Sequence, residues 1–273
     1  MIKDVVFNLP LVQRDKADYA ISIASAFEAH ITGTAFVYEA IVPVPGDINP
    51  DIVEAQQREN EEAAKNAAKR FTDAAARAGV SADALTLNVE FGDVGRRFGV
   101  IARCFDLAVV GQAEPGKDTA ETTIVEGALF ETGRPVAIVP YIQKAPLKLD
   151  NVMVCWDGSR SAARAVADSM PFLERAGRVE IVTVTNERGK LDRVIEGVDI
   201  ATHLARHGLN VTVNRMPVDE IDVGNALLSH AADSDADFMV MGGYGHSRLR
   251  EFVLGGVTRS ILSSMTVPVL MSH

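Results

Sequence analysis

Cysteine is scarce in this sequence. The two present, Cys104 and Cys155, lie far apart, with no CxxC and no Cys/His ligand spacing. That excludes a disulfide scaffold and a zinc-finger type of site, and both are expected to be reduced thiols in apolar strands. Long apolar runs are also lacking. No stretch reaches the ~18 residues that a membrane-spanning helix needs, and the opening MIKDVVFNLP is broken by Asn8 and Pro10, unlike a signal peptide. Positive charge is in deficit, with 27 Lys and Arg against 37 Asp and Glu and a net charge of -10. An acidic chain is a poor partner for nucleic acid or an anionic membrane, since both need clustered cations. The expectation is a cytoplasmic protein that binds neither.

What is present is apolar and repetitive. Hydrophobic residues make up 47% of 273 residues, enough for one large domain or two ordinary ones. Four apolar runs recur in order. Asp4–Pro10 (DVVFNLP) is echoed by Asp150–Asp157 (DNVMVCWD), and Gly33–Tyr38 (GTAFVY) by Gly177–Val184 (GRVEIVTV). Asp106–Gly111 (DLAVVG) is echoed by Asp237–Gly242 (DFMVMG), and Arg134–Pro140 (RPVAIVP) by Val267–Ser272 (VPVLMS). This predicts a duplicated domain, with residues 1–143 and 151–273 joined by a linker at 144–150. Helical spacing of Ala64, Ala67, Ala68, Phe71 and Ala75 in one half, and of Val194, Val198, Ala201 and Ala205 in the other, alternates with the strands. Strand–helix alternation with continuous apolar strands predicts two tandem doubly wound α/β domains. Each is a mostly parallel five-stranded sheet with helices on both faces.

Five glycines lie between Gly242 and Thr258, in GGYGHSRLREFVLGGVT, just after the apolar strand DFMVM. In such folds ligands sit beyond the carboxyl ends of strands. The following GGVTRSIL opens a helix, with Val257 and Ile261 four apart, and a helix start offers unpaired N–H groups to an anion. Arg248, Arg250 and Arg259 outweigh Glu251 locally. The common phosphate fingerprints, G-x-x-x-x-G-K-[ST] and G-x-G-x-x-G, are missing. On the residues alone, two tight turns explain the glycines as well as a ligand does.

The spacing Gly242-x2-Gly245-x9-Gly255 after an apolar strand resembles the ATP-binding members of the universal stress protein family. The resemblance covers both halves and implies a tandem member with Rossmann-like domains. It implies an Asp near adenine and ribose, matched by Asp157 after Trp156, and a backbone contact to adenine from the second strand, matched by Val184. It implies that Met241 and Gly242 line the ribose, and that Gly245, Gly255, Gly256, Val257 and Thr258 cradle the phosphates of ATP, alone or with Mg2+. One position departs: the family's Ser or Thr after the third glycine is Gly256, which removes a side-chain donor worth about 0.5–1.5 kcal/mol. The family's habit of pairing domains through edge strands implies an intramolecular pseudo-dimer between RPVAIVP and VPVLMS, and a further homodimer.

Other features have plainer readings. Asp157 also suits a cap for the helix beginning near Ser159, Trp156 suits packing, and His246 suits a solvated loop. His203 and His207, four apart, lack a third ligand. Ser229 and His230 lack a nucleophile context. Pro43–Pro50 (PVPGDINP) reads as a stiff loop or a lid. The first half differs at the matching places: Pro10 stands where Asp157 does, and Glu114, Asp118, Glu121 and Glu126 outnumber Lys117 after Gly111. Phosphate there would meet like charges. Three functions follow. The first is a nucleotide-binding stress protein with a single site in the second half and at most slow hydrolysis. The second is an interaction protein needing no nucleotide. The third is an enzyme of ATP-pyrophosphatase type, ranked last for want of its Ser-Gly-Gly-x-Asp-Ser loop.

Overall fold

The structure is a computed structural model, and it describes residues 1–11, 15–39, 50–114, 120–185, 199–217, 222–243 and 256–273. The chain divides into two compact units. One comprises Ile2–Arg134 with Lys144–Leu147, and the other Pro135–Gln143 with Lys148–His273, joined by Met1.

In the first unit, strands β1 (Asp4–Asn8), β2 (His30–Tyr38), β3 (Ala82–Val89) and β4 (Leu107–Gly111) lie parallel in the order β3-β2-β1-β4. Helices α1 (Asp15–Phe27), α2 (Pro50–Arg77), α3 (Val94–Ala102) and α4 (Ala120–Glu131) connect or follow them. The chain steps outward from β1 to β3 and then returns to the other side of β1. Right-handed crossovers in opposite directions place helices on both faces. The expected face of α2 is seen: Ala64, Ala67, Phe71 and Ala75 are buried, and Phe71 meets Phe7 of β1 with ring centroids 6.1 Å apart. Gly33 is required here, since a Cβ on it would fall 2.8 Å from the Phe71 ring. Helices α3 and α4 touch backbone to backbone through Gly95 and Gly127, so Gly127 lies inside α4 and serves packing.

The second unit holds β5 (Val136–Val139), β6 (Asn151–Cys155), β7 (Arg178–Thr185), β8 (Val211–Pro217), β9 (Phe238–Gly242) and β10 (Val269–Ser272). Their order is β5-β10-β9-β6-β7-β8. All neighbours are parallel except β5 and β10, which run antiparallel with Ile138 opposite Val269 and Val136 opposite Met271. Each half of the sequence thus supplies five strands, but β5 packs with the second unit. Helices α5 (Arg160–Leu173), α6 (Ile200–Arg206), α7 (Val223–Asp233) and α8 (Gly256–Ser264) complete it. Phe172 of α5 stacks on Phe238 of β9 at 5.1 Å, closing the core. In α6 the buried side chain is Leu204, and the expected Ala205 is exposed. Leucine carries the larger apolar surface, and burial follows area.

The repeat is visible in hydrogen bonding. The Asp106 carboxylate accepts the N–H groups of Lys3 (2.8 Å) and Asp4 (3.1 Å) at the start of β1. The Asp237 carboxylate accepts those of Asp150 (2.9 Å) and Asn151 (3.3 Å) at the start of β6. The aspartates that open DLAVVG and DFMVMG therefore do the same work in both units. Cys155 ends β6, as a strand thiol should, whereas Cys104 lies exposed in the turn after α3, and both thiols are free.

Candidate functional site

In the second unit the strand order reverses at β6, which has β7 on one side and β9 on the other. A crevice outside the carboxyl ends of these strands is where such sheets take ligands. Cys155 pairs with Val182 on β7 and with Met241 on β9. The next residue, Trp156, extends the ladder by donating its N–H to the Val182 carbonyl at 2.9 Å. Asp157, Val184 and Met241–Gly242 therefore emerge at the ends of three adjacent strands, each about 5 Å from the next.

The turn after β6 explains Asp157. Its carboxylate accepts the N–H of Ser159 at 2.9 Å, across Gly158 at φ +73°. The N-cap of α5 is Ser159, whose hydroxyl accepts the N–H of Ala162 at 3.1 Å. The cap expected of Asp157 thus falls to Ser159, because Ser159 has the extended backbone of a cap (φ −76°, ψ 164°). Asp157 remains exposed. Burial pushes the neighbouring Cys155 thiol up to about 12, and the Asp157 charge adds to the rise. It stays a thiol, unsuited to nucleophilic chemistry.

Gly242 has a packing reason. A Cβ there would fall 2.5 Å from the Ala162 nitrogen and 2.9 Å from the Ser161 hydroxyl, so the first turn of α5 rests on the end of β9. Met241 is buried, while Trp156 and Val184 are half-buried. Gly256 is the exposed first residue of α8, with nothing within 4 Å of where its Cβ would be. Val257 is half-buried and Thr258 buried. Ser260 anchors α8 to α7 by donating to Asp222 at 2.8 Å. Gly245 and Gly255 lie outside the described residues, as do His246, Arg248, Arg250, Glu251 and residues 43–49.

Ser272 was read from the sequence only as part of a strand. It stands in register with Gly242, and its buried hydroxyl has no hydrogen-bond partner among the described residues. His203 and His207 meet edge to ring on the surface of α6, and the described residues hold no cluster able to bind a metal. His230 belongs to a half-buried group with Glu180 (3.1 Å) and Asn214 (3.3 Å). No described helix is long and apolar enough to cross a membrane.

Residues 148–273 match the model of the universal stress protein family. The second half of the chain is a universal stress protein domain. No curated protein matches the chain. Among solved structures it is similar to a universal stress protein from Archaeoglobus fulgidus DSM 4304, with TM-score 0.67 and 18% identity over 98% of this chain and 97% of that one. It is also similar to a functionally unknown protein from Pseudomonas aeruginosa PAO1, with TM-score 0.59 and 13% identity over 99% and 92%. These likenesses are of fold, and they run through both halves.

Proposed function

We propose that the second unit binds an adenine nucleotide, ATP in the first place, and that the bound state biases a conformation or a partner surface in a stress response. The observation that carries this reading is the convergence of Asp157, Val184 and Met241–Gly242 at the strand reversal around β6. The donor set suits the ligand. An exposed carboxylate accepts hydrogen bonds from ribose hydroxyls, half-buried Trp156 and Val184 offer an apolar edge to a base, and the N-terminus of α8, begun by exposed Gly256, would offer N–H groups to phosphate. Gly245, Gly255, Gly256, Val257 and Thr258 would hold the phosphates, with or without Mg2+. The nucleotide would supply the charge and shape that a partner reads. Asp157 is held by its own turn to Ser159, so it is a binding group here, and any hydrolysis would be slow for want of a placed base among the described residues.

The alternative is a scaffold that needs no nucleotide, in which the glycines only shape turns. Gly242 favours it in part, since its contact with α5 is reason enough for a glycine. Native mass spectrometry of the purified protein, followed by calorimetric titration with a non-hydrolysable ATP analogue, separates the two. Co-purified ATP or ADP, or a saturable heat of binding, supports the nucleotide site. Neither, in a folded protein, leaves the scaffold.

A further inference from the structure

Lys16 is an unusual residue in the first unit. It is 3% exposed, and its ammonium donates to the Gln112 carbonyl at 2.9 Å. It is the second residue of α1, as Ser161 is the second residue of α5. Its side chain runs across Gly111, the last residue of β4, where a Cβ would fall 2.5 Å from Lys16 Cδ and 2.6 Å from Nζ. In the second unit the matching glycine, Gly242, lies against the first turn of α5, at Ser161 and Ala162. At the same place in the two units, one strand end meets an ammonium and the other a serine hydroxyl and helix backbone.

The surroundings match the ammonium. The Glu121 and Glu114 carboxylates both favour its charge, while burial opposes it and holds its pKa below the usual lysine value. Glu121 also acts on Tyr38 at the end of β2, whose hydroxyl is pushed up to about 12, chiefly by burial. Carboxylates and a backbone carbonyl are acceptors, the wrong donor set for phosphate.

We propose that the crevice at the carboxyl ends of β1 and β4 is a primary-ammonium site, filled from within by Lys16. It stands independently of nucleotide binding by the second unit.

The test is chemical rescue in the full chain. Lys16→Ala should melt lower than the wild type, and n-propylammonium, which matches the three carbons and the ammonium removed, should raise its Tm saturably by about 3 °C or more, as a ligand of the folded state does. n-Propanol at equal concentration should not, and neither the wild type nor Lys16→Met, whose side chain still fills the space, should respond to the amine. If Lys16→Ala does not fold alone, the yield on refolding with and without n-propylammonium is the readout. No rescue by the amine, or equal rescue by propanol, overturns the proposal. So does an additional ATP-analogue site in the Lys16→Ala protein by calorimetry, since that crevice would then favour an anion once the lysine is gone.

Discussion

Gly256 is where the sequence departs from the family pattern, and where a lost donor can be restored with least disturbance. It is the exposed first residue of α8, its backbone lies outside the left-handed region, and a Cβ there meets nothing within 4 Å. Serine fits without displacing a neighbour. The substitution has two effects that must be separated. Removing a glycine narrows the unfolded ensemble and stabilises the fold by about 0.4–1 kcal/mol, with or without ligand. Adding a hydroxyl supplies one neutral hydrogen bond to phosphate, about 0.5–1.5 kcal/mol. At about 1.4 kcal/mol per decade, that is roughly a two- to twelve-fold lower Kd. Alanine has the first effect and lacks the second. Gly256→Ala should therefore raise Tm and leave the Kd for a non-hydrolysable ATP analogue unchanged, while Gly256→Ser should also lower Kd. Titration calorimetry on the three proteins in one buffer reads the difference. Serine and alanine variants that bind equally would refute the view that the start of α8 faces phosphate.

Asp157→Ala should weaken the same analogue by about 1–3 kcal/mol with little change in Tm, because Ser159 keeps the cap of α5; a lower Tm at unchanged affinity would reduce Asp157 to a turn residue. Gly242→Ala should destabilise the protein by about 1–3 kcal/mol in urea even without nucleotide, because the new methyl would press on backbone atoms of Ser161 and Ala162; unchanged stability would mean that α5 can withdraw from β9. Asp106→Ala and Asp237→Ala each strip an acceptor from two backbone N–H groups and should each lower stability by about 1–3 kcal/mol. A large difference between them in chemical denaturation would argue that the two aspartates are not equivalent.

The alternation of strands and helices was legible because each apolar run is short, β-branched and bounded by turn residues, and local pattern alone carries that information. The duplication was legible for the same reason, down to the aspartates that open DLAVVG and DFMVMG. The pairing of RPVAIVP with VPVLMS was expected from the family resemblance and is seen between β5 and β10, but the grouping of β5 with the second unit was not legible, since RPVAIVP follows α4 in sequence. At the candidate site the strand ends placed Asp157, Val184, Met241 and Gly242, but not their local roles. Asp157 and Ser159 both suit a cap, and only backbone geometry assigns it. In the first half, Glu114, Asp118, Glu121, Glu126 and Lys117 are neighbours in sequence and were legible together, whereas Lys16 was not. Lys16 lies 96 residues from Gln112, whose carbonyl it meets only in the fold. The available signal was a lysine one residue into α1, at the place where α5 has Ser161.

The two halves agree at one end of the strands and differ at the other. At the amino ends of β1 and β6, Asp106 and Asp237 tie down the same pair of N–H groups, an arrangement that concerns stability alone. At the carboxyl ends, Pro10 faces a different task from Asp157, and Lys16 from Ser161. Nothing at the amino ends depends on what fills the crevice, so the sheet can persist while the crevice changes sign. On the proposed reading, that is how a chain of two like-folded halves carries one anion site and not two. The hydrogen bonds of Asp106 and Asp237 lie at the opposite ends of the strands from the groups that would choose the ligand, so those groups can change while this anchoring is kept.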